Sequence, residues 1–252
     1  MSVKPRRFGD PVCVGPSIDY AVGYLDSDGV ERREALSACA AVRFEACPPV
    51  RTFPSYRGQW NWPGLWWAAT TGRHVGFESW LERDHAMRLD FDQSVVGFSS
   101  QPFWLLFTTD DGEARRHAPD FFARRRGDGA VVVDCRPDDR IRRRDTEAFE
   151  ATASACDLMG WDYQRVGALD PVLVENLRWV AGYRHPRFAD PAMEERLRSI
   201  FALPRPLMDA AALAGRVMAV LPVLFHLLWR AELRADLSAL LSEESVVWSR
   251  LP

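Results

Sequence analysis

Lysine is almost missing from this chain of 252 residues: Lys4 stands alone among 32 basic side chains, so the other 31 are arginine. Cysteine is sparse as well. The five cysteines, Cys13, Cys39, Cys47, Cys135 and Cys156, are widely spaced and form no CxxC pair. An odd count without that spacing argues against a disulfide framework or a zinc site, and fits reduced thiols in a cytosolic setting. Long apolar runs are lacking too. The longest, from Val217 to Trp229, contains Pro222 and His226 and falls short of the ~20 residues a bilayer demands. No apolar stretch follows the basic N-terminus, so no signal peptide is expected and the expected location is cytoplasmic. There is no internal repeat, low-complexity tract, Ser-His-Asp order or glycine-rich phosphate loop. Gly127 and Gly129 belong to a turn between strands, not to the head of a helix. Net charge is −3, from 32 basic and 35 acidic residues. Any nucleic-acid contact must therefore come from a local basic face.

What is present describes a globular protein, with 47 % hydrophobic and 27 % charged residues. Asp26-Ser-Asp-Gly29 reads as a turn between two strands. Residues 51–70, rich in tryptophan (Trp60, Trp62, Trp66, Trp67), read as an irregular segment on the core. Glu78 to Asp90 has Phe77, Trp80, Leu81, Ala86 and Leu89 at helical spacing. Strands are expected at 95–98, 103–107, 115–123 and 130–134, with hairpin turns at Asp110-Asp-Gly112 and Gly127-Asp-Gly129. Asp145 to Met159 reads as an amphipathic helix capped by Gly160. A strand to Val166 and a short helix over 176–183 follow. Beyond Pro186 and Pro191, three helices (193–201, 208–214, 217–230) precede two strands (233–237, 245–249). That is the layout of a winged helix, although a plain helical cap fits as well. The expected class is α/β: a mixed sheet flanked by helices over 1–188, core 77–187, and a small winged-helix-like domain over 189–252.

The strongest local signal is Pro119-Asp120, then Asp134-Cys135-Arg136 at the end of the next strand. Alternation gives Asp134 and Arg136 one face, and the turn at 127–129 would bring Asp120 and Asp134 side by side. Adjacent carboxylates repel unless a cation lies between them. Hard oxygen donors suit Mg²⁺, with Mn²⁺ as substitute. Such a metal activates water against a phosphodiester. Glu82, on the preceding helix, adds a third carboxylate, and the Cys135 carbonyl is a further donor. Helix with Glu, strand with Pro-Asp, strand with Asp-x-basic, helix is the order of the PD-(D/E)xK nuclease core. From Arg115 to Arg144 there are ten arginines against five aspartates. Arg124, Arg125 and Arg126, with Arg140, Arg142, Arg143 and Arg144, are expected to flank the site and track a phosphate backbone.

The stretch from Phe77 to Arg187 resembles the TnsA-type endonuclease subunit of heteromeric transposases. The matching pieces are Phe77-Glu-Ser-Trp-Leu-Glu-Arg-Asp84, Leu89-Asp-Phe-Asp92, Gln101-Pro-Phe103, His117-Ala-Pro-Asp-Phe-Phe122, Val131-Val-Val-Asp-Cys-Arg-Pro137, Asn176-Leu-Arg-Trp179 and Tyr183-Arg-His-Pro-Arg187. Gly58-Gln-Trp-Asn-Trp-Pro-Gly64 and Thr70-Thr-Gly-Arg-His74 are similar to its actinobacterial branch. The resemblance implies a restriction-endonuclease-like fold and Mg²⁺-dependent cleavage of the 5′ strand of double-stranded DNA at transposon ends. It also implies two partners: a DDE-type transposase and an AAA+ ATPase. Residue by residue it makes Glu82 the helix glutamate, Asp120 the central metal-binding aspartate, and Asp134 the acid of the second strand. Arg136 stands where the family has lysine. Arginine stabilises a phosphoryl charge but is a poor base, with a pKa of roughly 12 or above. The competing expectation is a DNA-binding adaptor, weakened in catalysis, that bridges transposase and ATPase. His117 is expected on the face opposite Asp120 as a structural residue. Glu78 shares the face of Glu82, as an outer acid or a helix N-terminal charge.

Overall fold

The structure, a computed structural model, describes residues 20–52 and 62–249. Cys13, Trp60 and positions 58–61 of the tryptophan-rich motif lie outside the described residues. The fold is mixed α/β, and the chain divides into two compact units.

The first unit comprises residues up to 89 together with 94–168. Strands β1 (Ala21–Leu25) and β2 (Glu31–Ala35) pair antiparallel around the Asp26 turn. Asp26 Oδ1 accepts from the Asp28 and Val30 amides at 3.0 and 2.9 Å. Strands β3 (Gly64–Ala68) and β4 (Arg73–Phe77) form a separate hairpin. The second half of the tryptophan-rich segment is thus a strand, where sequence suggested irregular packing, and Trp62 just before it is exposed. Helix α1 (Trp80–Phe91) follows, then β5 (Val95–Ser100), β6 (Phe103–Thr108), β7 (Ala114–His117), β8 (Phe121–Arg125), β9 (Ala130–Cys135), α2 (Arg143–Met159) and β10 (Asp162–Val166).

Two four-stranded sheets result, ordered β2-β1-β6-β7 and β10-β9-β8-β5. The expected strand over 115–123 is two strands in two sheets. Pro119 has no N–H to give a ladder, and the chain changes sheet across residues 118–120. In the second sheet β5-β8-β9 is antiparallel and β9-β10 parallel. The 17-residue helix α2 makes the crossover that a parallel neighbour requires. Gly160 ends α2 at φ 66°, the left-handed cap that glycine adopts without strain.

The second sheet is covered on both faces. Phe121, Ala123, Val131 and Val133 pack with Ala86 and Leu89 of α1. Phe122, Ala130 and Val132 pack with Ala155 and Cys156 of α2 and with Val22, Leu105 and Phe44. Each such valine or phenylalanine contributes about 1.5–3 kcal/mol by leaving water. Trp80, expected inward on α1, is exposed and carries the Arg83 guanidinium over its ring at 4.2 Å.

The second unit holds residues 90–93 and everything from 169 on. The division falls after Ala168, ahead of the expected boundary at 188. Helix α3 (Pro171–Ala181) therefore belongs with α4 (Pro191–Ile200), β11 (Arg205–Pro206), α5 (Leu207–Ala214), α6 (Val217–Trp229), β12 (Leu233–Ala235) and β13 (Val246–Ser249). The strands are ordered β11-β13-β12. What attaches α3 is Asn176, 2 % exposed. Its amide donates to the carbonyls of Leu237 and Ala239 and accepts from the Leu241 amide, at 3.0, 2.8 and 2.8 Å. Trp179 and Tyr183 also meet Phe225, with ring centroids 5.6 and 5.0 Å apart. Among the described residues no single helix is long and apolar enough to cross a membrane.

Candidate active site

A cavity of about 730 Å³ in the first unit is lined by Glu82, Asp120, Asp134, Cys135 and Arg136, along with Arg51, Glu78, Arg116 and His117. The sequence-derived acids and their basic companion therefore share one cavity, but they divide within it.

Asp120 precedes β8. The register of β8 with β9 begins at Phe121↔Val133, so Asp120 stands just outside the paired strand, next to the end of β9. Asp120 Oδ2 accepts from the Cys135 amide at 2.7 Å. Its carboxyl is pushed well above the usual carboxylate range, first by burial and then by the charges of Glu82 and Asp134.

Glu82 is tied to the start of α1. Its Oε2 accepts from the Glu78 amide at 2.7 Å and its Oε1 from the Ser79 hydroxyl at 2.9 Å, while Ser79 Oγ accepts from the Glu82 amide at 3.2 Å. Ser79 answers the Glu82 amide as in a Ser-x-x-Glu capping box, while Glu82 answers the amide one residue earlier, at Glu78, and the Ser79 hydroxyl. Burial raises the Glu82 pKa, and the neighbouring Glu78 adds to the rise. Glu82 is thus a capping residue whatever else it does.

Asp134 differs from expectation. It shares the face of Val132, turned toward α2, whereas Cys135 packs on the α1 side with Val133. Asp134 is 1 % exposed, and both its oxygens have partners. His117 Nε2 meets Oδ1 at 2.8 Å and the Tyr163 hydroxyl donates to Oδ2 at 2.9 Å. His117 thus lines the cavity from the α2 side, against Phe149 and bonded to Asp134. The change of sheet separates His117, at the end of β7, from Asp120, just ahead of β8. The Cys135 thiol is held well above its usual range by burial and by Asp120, Glu82 and Asp134.

Arg136 shares the cavity but is engaged. One terminal nitrogen donates to Asp145 Oδ2 at 2.7 Å, and Nε is buried without a hydrogen-bond partner. Asp145 Oδ2 also accepts from the Arg142 amide at 3.1 Å, closing the first turn of α2. Arg51 enters from the other side and pairs with Glu78 at 2.6 Å.

The arginine rim is one-sided. Arg140 and Arg144 line the cavity, as does Arg116, whose guanidinium lies 4.4 Å over the Trp104 ring. Arg124 instead packs over Phe122 and bonds Glu45 and the Val42 carbonyl. Arg125 pairs with Asp162. Together with Arg126 they stand at the far end of β8, roughly 15 Å from Asp120 at ~3.3 Å per residue. Arg142 sits at the N-cap of α2 and Arg143 pairs with Glu147 at 3.0 Å. In the second unit α6 is buried from Val223 onward, and its first turn exposes Met218 and Ala219. Its exposed side chains Met218 and Ala219 offer base edges no N–H or O–H donor, and Arg216 at the N-cap is the exposed donor beside them.

Sequence reasoning missed Arg51, Tyr163 and Asp145 as neighbours of the acids, and Ser79 as the partner of Glu82. The Ser79-x-x-Glu82 spacing was the one available signal. No protein-family model and no curated protein matches this chain.

The donor chemistry fits a hard divalent cation at Asp120 and Glu82, oxygen ligands whose ionised forms burial and mutual repulsion disfavour. It does not extend to a preformed triad. Among the described residues no three His, Cys, Asp or Glu side chains are placed to hold a metal ion together.

Proposed function

We propose that the chain is a metal-dependent DNA endonuclease of the PD-(D/E)xK kind, acting as a TnsA-type subunit that cuts the 5′ strand at transposon ends. The observation that carries the reading is Asp120: a carboxyl that shares one cavity with Glu82 and Asp134, its ionised form disfavoured by burial and by both neighbours. The element order supports it: α1, antiparallel β5-β8-β9, α2 and parallel β10, with the acids at adjoining strand ends. On this reading the first unit is restriction-endonuclease-like. The order α4-β11-α5-α6-β12-β13 supports a winged-helix-like second unit, and its buried third helix favours a protein partner over base reading. The DDE-type transposase and AAA+ ATPase are the partners the resemblance implies.

Asp120, Glu82 and the Cys135 carbonyl would hold Mg²⁺. When bound, it would polarise the phosphoryl oxygen and lower the pKa of a water. The chain supplies the rest. Asp120 is fixed by the Cys135 amide. Asp134, clasped by His117 and Tyr163, anchors the end of β9 and adds negative potential beside Asp120. Arg116, Arg140 and Arg144 supply cations for phosphates on one flank.

The adaptor remains the second reading, and two observations favour it: Arg136 is bonded to Asp145, and Asp134 is already saturated by donors. Anomalous diffraction from Mn²⁺-soaked crystals, with Asp120→Ala as control, separates the two. A peak at ~2.0–2.4 Å from oxygens of Asp120 and Glu82, lost in the variant, is the outcome expected of a nuclease. Ordered carboxylates without a peak at millimolar Mn²⁺ favour the adaptor.

A further inference from the structure

A second cavity, of about 430 Å³, opens in the first unit between α2 and β7, the edge strand of its sheet. It shares Trp104, Arg116, His117, Arg144 and Asp145 with the cavity of the carboxylates, so the two are continuous.

Three guanidinium groups converge there: Arg115 and Arg116 from β7, and Arg144 from the first turn of α2. Successive strand residues point to opposite faces, and an open strand edge lets both reach one space. Arg116 is held over the Trp104 ring at 4.4 Å. Arg144 is exposed, and its side chain makes no hydrogen bond or ion pair among the described residues. Arg115 pairs through a terminal nitrogen with Glu113, which is 59 % exposed, while its Nε is buried without a hydrogen-bond partner. The acids of the lining are already answered from outside it. Asp145 accepts from Arg136 and from the Arg142 amide, and Glu147 accepts from Arg143. The cavity therefore keeps a surplus of positive charge.

Resting on the nuclease reading, we infer that this cavity is a second phosphate site for the same DNA. Arg115, Arg116 and Arg144 hold the backbone of the strand as it runs on from the carboxylates. The planar fork of arginine matches phosphate oxygens. An exposed ion pair such as Arg115 with Glu113 is worth little, so a phosphate displaces Glu113 at small cost. Contacts of this kind fix the register of the duplex and carry no base information.

The test is fluorescence anisotropy of the full chain with a short labelled duplex in EDTA, where binding is read without cleavage, across a salt series. The variants are Arg115→Gln, Arg144→Gln, their double, and Arg144→Lys. Arg88→Gln, exposed on α1 and outside both cavities, is the control. Each glutamine variant should weaken binding about tenfold at low salt. Each should also make the dependence of log affinity on log salt shallower by about one. The double should combine both losses, Arg144→Lys should keep the salt slope, and Arg88→Gln should match wild type. If the double variant binds the duplex as wild type does at every salt concentration, the inference fails, and an acidic protein segment becomes the occupant. A wild-type chain that binds no duplex at low salt overturns it as well. Mn²⁺-dependent nicking of supercoiled plasmid separates this result from the parent reading. Arginine-dependent binding by a wild-type chain that nicks nothing supports the phosphate site and sinks the nuclease. Nicking with an unchanged KM in both arginine variants sinks the site and leaves the nuclease standing.

Discussion

Replacing Glu82 separates its two roles, because glutamine can fill one and not the other. In the cap, Glu82 accepts from the Glu78 amide and from the Ser79 hydroxyl. Glutamine keeps one acceptor for the Glu78 amide, and its amide nitrogen can donate to Ser79 Oγ after the hydroxyl rotates. Glutamine also removes a charge whose ionised form burial disfavours. The sign follows: an acid with a raised folded pKa costs stability as pH rises past its unfolded value, and the cost persists above the folded pKa. Glu82→Gln should therefore match or exceed wild-type stability at pH 7 without metal, with the advantage closing toward acid pH. Glu82→Ala loses both acceptors. A lost cap costs about 1 kcal/mol, and a stranded, partly buried amide adds about 1 kcal/mol or more. For a chain of this size about 2 kcal/mol lowers Tm by roughly 4–8 °C. Thermal melts of the three proteins with EDTA read this directly. Melts with Mn²⁺ then read ligation, because a ligand at a hundred times its Kd stabilises by about 2.7 kcal/mol. If Glu82 holds the metal, that gain shrinks in the glutamine variant. A glutamine variant that melts as early as the alanine variant without metal refutes the capping argument.

Other outcomes are equally specific. Asp120→Asn keeps an acceptor for the Cys135 amide and removes a carboxylate held well above its usual range. Metal-free urea melts should find it more stable than wild type at pH 7, with the gap closing at low pH, and plasmid nicking should be abolished. Phe44 is fully buried, its ring within 5.8 Å of Tyr24, Phe103, Phe122 and Trp161. Phe44→Ala should cost about 3–5 kcal/mol by chemical denaturation, and a loss under ~1 kcal/mol would show that this core collapses around the gap. Asn176→Ala strands the buried Leu241 amide and should cost roughly 1–3 kcal/mol. Hydrogen exchange should report its opening within the second unit first.

Much of this fold was legible because local chemistry and tertiary context agree. The turns at 26–29, 110–112 and 127–129 carry the glycines and aspartates that reversals favour, and strands form on either side of each. Gly160, and the helices near 193–201, 208–214 and 217–230, fell within a few residues of their observed positions. Ala130 to Val133, by contrast, is apolar at every position because both faces of β9 are covered. A strand with no polar face gives no in-out contrast, so nothing told which way Asp134 turns. The single strand expected over 115–123 was misread because Pro119 hides a change of sheet. Arg51 carries no pattern at all: a single arginine in a loop is found only once the cavity exists.

The amide of Asn176 also bears on where the chain can be divided. A fragment begun at the proline-rich stretch near 189 would leave α3 behind, with three backbone groups between β12 and β13 unanswered. One begun at Leu169 would carry its own fastener. The compact unit is thus longer than its prolines advertise. A cut that respects the prolines would yield an incomplete part.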